Sequence, residues 1–431
     1  MSTEEVDTLV VGAGQAGVAM SEHLSKSGVH HVVLERHRIA ERWRTERWDS
    51  LVANGPAWHD RFPGLEFSNV GPDEFATKEE VAAYFEQYAT KFNAPIRCGI
   101  EVSKVERNSG KPGFTVETNA GTFIAQNIVA ATGPFQVPVF PSIIPESADV
   151  TQMHSSAYRN PAQIKGEGIL VVGAGSSGVQ IAEELMRAGK EVYLSVGPHE
   201  RPPRAYRGRD FCWWLGVLGK WDAETRAAGR EHVTIAVSGS NGGYTIDFRR
   251  LASRGMKLVG LTKSFESGKV TFAEDLARNL VSGDESYLSL LDEADAYVAK
   301  NGIDLPLEPE ARVMLPDPDC VKNPILELDL AANDISSVIW ATGFAADYSW
   351  LKVDTFDQLG RPKHHRGVSE EPGIYFLGLP WQSRRGSSFI WGVWHDAKHL
   401  ADRISTQKKY LEYRPSADLA VAPAQLASLA E

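Results

Sequence analysis

The chain has 431 residues, 42% of them apolar and 23% charged, with 11 tryptophans. That length suits two or three domains of roughly 150 residues, and a composition of this kind buries a large core, which excludes global disorder. Lys and Arg number 45 against 56 Asp and Glu, a formal net charge of −11. Neither a nucleic-acid backbone nor an anionic membrane surface is an expected partner for such a chain. Its three cysteines, Cys98, Cys212 and Cys320, are far apart and form no CxxC. A disulfide framework, a dithiol redox pair and a zinc site are not expected, and no metal is expected elsewhere. The acidic start Met-Ser-Thr-Glu-Glu does not read as a signal peptide, and no apolar run approaches about 18 residues. The expectation is a soluble, cytoplasmic protein without a membrane partner.

In chain order, a β-branched run enters Gly12-Ala-Gly14-Gln15-Ala16-Gly17, and a helix follows over Gln15–Lys26, stopped by Gly28. A second strand is predicted at His31–Glu35. A Trp-rich irregular stretch (41–72) leads to a helix over about 78–92. Short strands near 99–106, Phe114–Thr118 and 122–125 read as an antiparallel meander that crosses to a strand at 127–131. Pro134, Pro138, Pro141 and Pro145 mark a linker. The first pattern then recurs. Gly168-Ile-Leu-Val-Val enters Gly173-Ala-Gly175-Ser176-Ser177-Gly178, followed by a helix over Ser176–Arg187, Gly189 and a strand at 191–196. An insert runs to about 323, in which Phe211–Leu218 is a dense apolar run expected to be a buried helix. Strands at 337–341 and 373–378 and a helix near 396–406 close the fold. The Ala/Pro-rich tail after Tyr413 is expected to fray.

This is one βαβ unit used twice, so the fold class is α/β with two Rossmann-type dinucleotide-binding domains. The first domain is discontinuous. Its expected parts are 1–158 and 326–412, with the second domain and its insert at 159–325 and a tail at 413–431. In each loop one glycine makes the turn, one admits the pyrophosphate and one lets helix and strand pack closely. The helix N-terminus then offers free N–H groups to phosphate. Glu35, beside Arg36, stands 35 − 12 = 23 residues after Gly12, where a carboxylate accepts from a ribose 2′-OH. The same offset in the second unit is Val196, next to Ser195, with Arg201, Arg204, Arg207 and Arg209 following. A missing acid and nearby guanidiniums suit a 2′-phosphate. FAD is therefore expected in the first site and NADPH in the second. Ala131-Thr132-Gly133 and Ala341-Thr342-Gly343 end apolar strands, one per unit, where small residues let the chain pass close to a dinucleotide.

With these loops, Glu41-Arg42-Trp43-Arg44, His154-Ser-Ser-Ala-Tyr158 and Val338-Ile-Trp-Ala-Thr-Gly-Phe344, the chain resembles the class B flavoprotein monooxygenases over about 7–404. These include the flavin-containing monooxygenases, the plant YUCCA-type enzymes and bacterial relatives. The resemblance implies that NADPH reduces FAD, NADP⁺ stays bound, and reduced flavin captures O₂ as a C4a-(hydro)peroxyflavin that oxygenates a small substrate. It also implies that Asn54, in Leu51-Val-Ala-Asn-Gly-Pro56, sits beside the flavin as the catalytic amide. Arg42, Trp43, Trp48, Val102, Gly378 and Ser387 are further expected cofactor contacts. The family fingerprint F-x-G-x-x-x-H-x-x-x-[FY] is half present, with Ala148 and Val150 in place of F and G. Tyr158-Arg159 instead of Trp-Pro argues against a typical Baeyer–Villiger enzyme. Disulfide reductases share the fold but need a CxxC.

The expected function is an NADPH- and O₂-dependent FAD monooxygenase acting on a nitrogen or sulfur centre, which needs no protein base. The alternatives are attack on a carbonyl or 2-oxo acid, an uncoupled NADPH oxidase, and a flavin redox sensor. The partners implied are a small-molecule substrate, O₂ and a second copy in a homodimer.

Overall fold

The computed structural model describes residues 3–224 and 235–414. Most of the tail expected to fray lies outside them. The first sheet has a parallel centre in the spatial order Ile96–Cys98, His31–Glu35, Thr3–Val11, Gly121–Ala130, Ile374–Phe376. Strands buried on both faces read as apolar runs, and Leu9, Val10, Val32, Val33, Ile128 and Val129 are all at most 1% exposed. The helix Gln15–Lys26 packs on one face against the C-terminal helix Ile390–Glu412, sharing a cluster with Val18, Leu24, Leu400 and Ile404. That last helix is much longer than the 396–406 expected.

The meander differs in one respect from the expectation. Gly121–Ala130 is a single strand, not two. Its first half pairs antiparallel with Phe114–Thr118, and its whole length runs parallel to Thr3–Val11. Gln126 is exposed where the alternating first half of the strand gives way to the fully buried Ile128–Ala130, and the strand runs on through it.

The second sheet is parallel throughout, in the order Lys257–Val259, Glu191–Ser195, Gly168–Val172, Ile335–Trp340, Thr151–His154. This corrects the expected boundaries at 158 and 326. Thr151–His154 and Ile335–Trp340 belong to the second sheet, because Val338, Ile339 and Trp340 pair in register with Leu170, Val171 and Val172. The two units are joined by two crossing segments that pair with each other, Val137–Pro138 antiparallel to Phe344–Ala345.

In the insert, Phe211–Val217 is a helix as expected, with Phe211, Cys212, Trp214 and Leu215 buried. A helix over Leu276–Asn301 was not foreseen. Its Leu276, Leu280, Gly283, Tyr287, Leu291, Ala294 and Val298 recur at three- and four-residue steps and are buried, and Gly302 at φ 60° stops it. Among the described residues no helix is long and apolar enough to cross a membrane. No group of three His, Cys, Asp or Glu among them could hold a metal.

Burial lowers the basicity of several histidines, including His31, His154 and His199, and pushes His23 down to about 4 despite its neighbour Glu22. The His23 ring is 5% exposed and meets Trp394 edge-on at 4.4 Å. Below the ordinary histidine value near 6.5 the unfolded chain binds a proton that folded His23 refuses, so stability falls as pH drops through this window. Between pH 7 and pH 5 this one group should cost about 2 kcal/mol. A His23→Phe variant should lose correspondingly less over that interval in urea denaturation. An equal loss in the two proteins would contradict the assignment.

Candidate active site

Two glycine loops are built in the same way. Gly12 has φ 101° and Gly173 φ 105°. A Cβ on Gly12 would lie 2.7 Å from the Ala131 carbonyl oxygen, and one on Gly173 2.6 Å from that of Ala341. A Cβ on Gly17 or Gly178 would lie 1.8 Å from the carbonyl oxygen of Gly12 or Gly173. Each helix is therefore seated on its own loop. Gly14 and Gly175 are N-caps without a side-chain cap, and neither helix has an acid in its first turn. A Cβ at Gly14 would meet open space, as it would at Gly133 and Gly343. These uncapped N–H groups, facing space beside chain turns of small residues, fit a pyrophosphate at each loop.

Glu35 ends its strand with Oε2 accepting from Ala13 N at 2.8 Å and Oε1 accepting from His37 N at 2.9 Å. The carboxylate so braces the first loop while remaining partly exposed. Arg36 beside it is exposed. Ala16 is buried behind the loop, and a Cβ on Gly378 would lie 3.2 Å from its own Cβ. Gln15 Nε2 donates to Ser388 O at 2.8 Å, which ties the loop to the returning segment. There Ser387 is fully buried and its Oγ accepts from Ser383 N and Arg384 N, shaping the turn. Arg42 donates to Gln136 O, and Gln136 Nε2 donates to Thr132 Oγ1 and Gly133 O. Gln136 thus supports the first Ala-Thr-Gly turn, a role unseen in the sequence. In the second turn Thr342 Oγ1 donates to Val139 O at 2.6 Å. His154 Nε2 lies 2.9 Å from Gly343 O while Nδ1 accepts from Ser156 N, so the network requires the neutral Nε2–H form. Val102 opens a meander strand and packs at the edge of the cluster around Val105 and Phe114.

Two expectations are corrected. Trp48 is 4% exposed and lies in the second unit's core with Tyr158, Val179 and Ala182, because the chain at Asp49–Ser50 docks there through Asp49 N to Arg159 O and Ser50 Oγ to Glu184. Trp43, by contrast, packs half-buried against the cores of both units. Three of the four arginines after Ser195 are buried in ion pairs, while Arg209 is exposed. Arg201 donates to Asp284, Arg204 to both oxygens of Asp210, and Arg207 to Asp295 and to the carbonyls of Leu305 and Pro306. They are 3%, 4% and 7% exposed. Ser195 is equally enclosed, its Oγ donating to Gly260 O. Buried guanidiniums in a low dielectric take carboxylate partners, and these brace the insert. Ser177 is exposed, and Ser176 Oγ donates to Ile235 O.

Asn54 lies where the units meet. Its Oδ1 accepts from Gln180 Nε2 at 3.0 Å, its backbone oxygen accepts from Arg204 at 2.6 Å, and among the described residues its Nδ2 has no hydrogen-bond partner. The next peptide is held by Asp60, whose Oδ2 accepts from Gly55 N and whose Oδ1 is 2.8 Å from His59 Nδ1. The His59 ring stacks on Trp221 at 5.2 Å and meets Trp58 and Trp391 edge-on. Buried polar atoms without protein partners gather around this junction: Gln180 Oε1, Arg204 Nε, His59 Nε2 and Trp391 Nε1. Such atoms normally have partners, so the surroundings suit a polar heteroaromatic group. The three thiols are free and burial raises each of them above the usual cysteine value.

Comparison with known proteins agrees with this architecture. Residues 9–207 match the pyridine nucleotide-disulphide oxidoreductase family. An uncharacterized CzcO-like oxidoreductase of Geobacillus kaustophilus is 35% identical, over 93% of this chain and 98% of its own. The probable indole-3-pyruvate monooxygenase YUCCA1 of Arabidopsis thaliana is 31% identical, over 93% and 89%. The chain belongs to the class B flavoprotein monooxygenases. As a member it is a flavin-dependent oxidoreductase using FAD and NADPH. The flavin-containing monooxygenase of Stenotrophomonas maltophilia shares the fold, with a TM-score of 0.65 at 21% identity over 94% of this chain and 99% of its own.

The pairing of Arg204 leads to a direct test. Removing it leaves Asp210 without its cation, with only Cys212 N donating to it, and leaves the Asn54 carbonyl without its donor. Breaking a buried pair from one side costs about 3–5 kcal/mol. Arg204→Ala should therefore lower the thermal midpoint strongly. An unchanged midpoint with only a higher KM for NADPH would instead make Arg204 a phosphate contact.

Proposed function

We propose that this flavin monooxygenase consumes NADPH and O₂ to place one oxygen atom on a nitrogen or sulfur centre of a small organic substrate. When bound, FAD supplies the oxygen activation and NADPH the hydride. The chain's own contribution starts with position. Gly12, Gly14, Gly17 and Glu35 would hold FAD, with Thr132 and Gly133 beside it. Gly173, Gly175 and Gly178 would hold NADPH, with Ala341, Thr342 and Gly343 beside it.

The observation that carries the reading is Asn54. Its oxygen is engaged by Gln180, and its N–H groups are left to donate to a bound group. An amide donates without titrating, and a donor already oriented in a water-poor site costs no reorganisation. The tryptophans around His59 keep water from that place. A nitrogen or sulfur lone pair needs no deprotonation, which matches a polar group that is a donor and not a base.

The YUCCA-type relatives raise a second reading, oxidation of a 2-oxo acid. A carboxylate substrate calls for a cation. Three guanidiniums at the junction are already paired, Arg204 with Asp210, Arg384 with Asp222 and Arg385 with Glu200. A neutral amine or a sulfide suits these surroundings better.

Purified holoenzyme given NADPH, O₂ and a panel of amines, sulfides, ketones and 2-oxo acids should yield a product one oxygen heavier from an amine or a sulfide. Product only from a 2-oxo acid would reverse the order of the two readings. Asn54→Ala should leave flavin reduction by NADPH intact and cut product per NADPH about a hundredfold, the lower range for loss of an oriented donor, with hydrogen peroxide appearing instead. Unchanged yield would remove Asn54 from the chemistry.

A further inference from the structure

Ser176 and Gln180 lie four residues apart on one face of the second nucleotide helix. Both reach the same neighbouring segment: Ser176 Oγ donates to Ile235 O at 2.8 Å and Gln180 Nε2 donates to Val237 O at 2.8 Å. Gln180 Nε2 has a second proton, and it goes to Asn54 Oδ1 at 3.0 Å. The glutamine is 5% exposed, so neither bond competes freely with water. The donors of Gln180 are thereby used up, and its orientation is settled by two acceptors on different segments. Its own Oε1 is buried without a partner, which costs the fold stability. A leucine or methionine at this position would avoid that cost and could not orient Asn54.

We propose that Gln180 is the positioning residue of the oxygenation site. It holds the Asn54 amide with its oxygen toward the nicotinamide-nucleotide domain and its N–H groups toward the flavin side. The donor of the flavin domain is then set by the helix whose first turn receives NADPH. Arg204 completes the arrangement from the insert by holding the Asn54 backbone oxygen at 2.6 Å, itself immobilised on Asp210. The coupling runs through one hydrogen bond between the two units, and it rests on the role given to Asn54 above.

The test uses the holoenzyme in a double-mutant cycle. Gln180→Leu removes both donors, and Gln180→Glu keeps size and shape while presenting only acceptors to Asn54. Both should raise the fraction of NADPH ending as hydrogen peroxide by about threefold or more, within the range for touching residues that act together. Flavin reduction by NADPH should be unaffected. The double variants with Asn54→Ala should be no more uncoupled than Asn54→Ala alone. A second readout needs no turnover. Titration of oxidised holoenzyme with NADP⁺ should give a visible flavin difference spectrum altered alike in Gln180→Glu and Asn54→Ala, at an unchanged Kd. Multiplying effects in the double variants would show that Gln180 acts elsewhere and would overturn the proposal. If Asn54→Ala uncouples the enzyme while both Gln180 variants stay coupled, the proposal falls alone. If Asn54→Ala itself stays coupled, the role of Asn54 falls first and this proposal with it.

Discussion

The absence of a Cβ at Gly17 and Gly178 is the constraint on which the molecule rests. Each nucleotide helix sits so close to the loop before it that a methyl group would lie 1.8 Å from a carbonyl oxygen. Because the helix is that close, its uncapped N-terminus points across the end of the sheet, and its far face packs on what lies outside. On the first unit this is the C-terminal helix, and on the second it is the core that also receives Trp48 and Tyr158. One steric condition, met twice, makes two anion-receiving ends and two apolar seats for everything else.

The second theme is how the units are joined. The crossing segments pair through only two residues each, Val137–Pro138 with Phe344–Ala345. Beyond the apolar contacts of Trp43 and Trp48, the junction carries specific polar bonds. Arg384 and Arg385 reach Asp222 and Glu200, and Gln180 reaches Asn54. Hydrogen bonds specify geometry where apolar contact would only hold surfaces together. A site that needs a hydride donor and an oxygen-binding ring in register suits a junction of that kind.

Much of this could be read along the chain. The two helices Gln15–Lys26 and Ser176–Arg187 and the strands His31–Glu35 and Phe114–Thr118 follow from glycine punctuation and β-branched runs, which are local signals. The junction was less legible. Asn54 stood out within a short Asn-Gly-Pro motif, but Gln180, 126 residues away, carried no signal beyond its four-residue spacing from Ser176. The arginine run after Ser195 suited a 2′-phosphate. Its partners Asp210, Asp284 and Asp295 are spread over the insert, so the ion pairs that occupy the guanidiniums could not be counted from the run itself. Likewise the strand Ile335–Trp340 carried its β-branched pattern plainly, while its membership of the second sheet depends on pairing with Gly168–Val172, more than 160 residues earlier.

The chain by itself determined that there are two dinucleotide folds, where each loop turns, and which helix serves each loop. Those properties depend on backbone freedom and apolar periodicity over a few residues, and neighbours in sequence decide them. Tertiary structure decided which sheet the late strand joins, which charges are already neutralised, and which way the Asn54 amide faces. These depend on what distant segments bring within about 3 Å of one another, the hydrogen-bonding range. No local pattern encodes that distance.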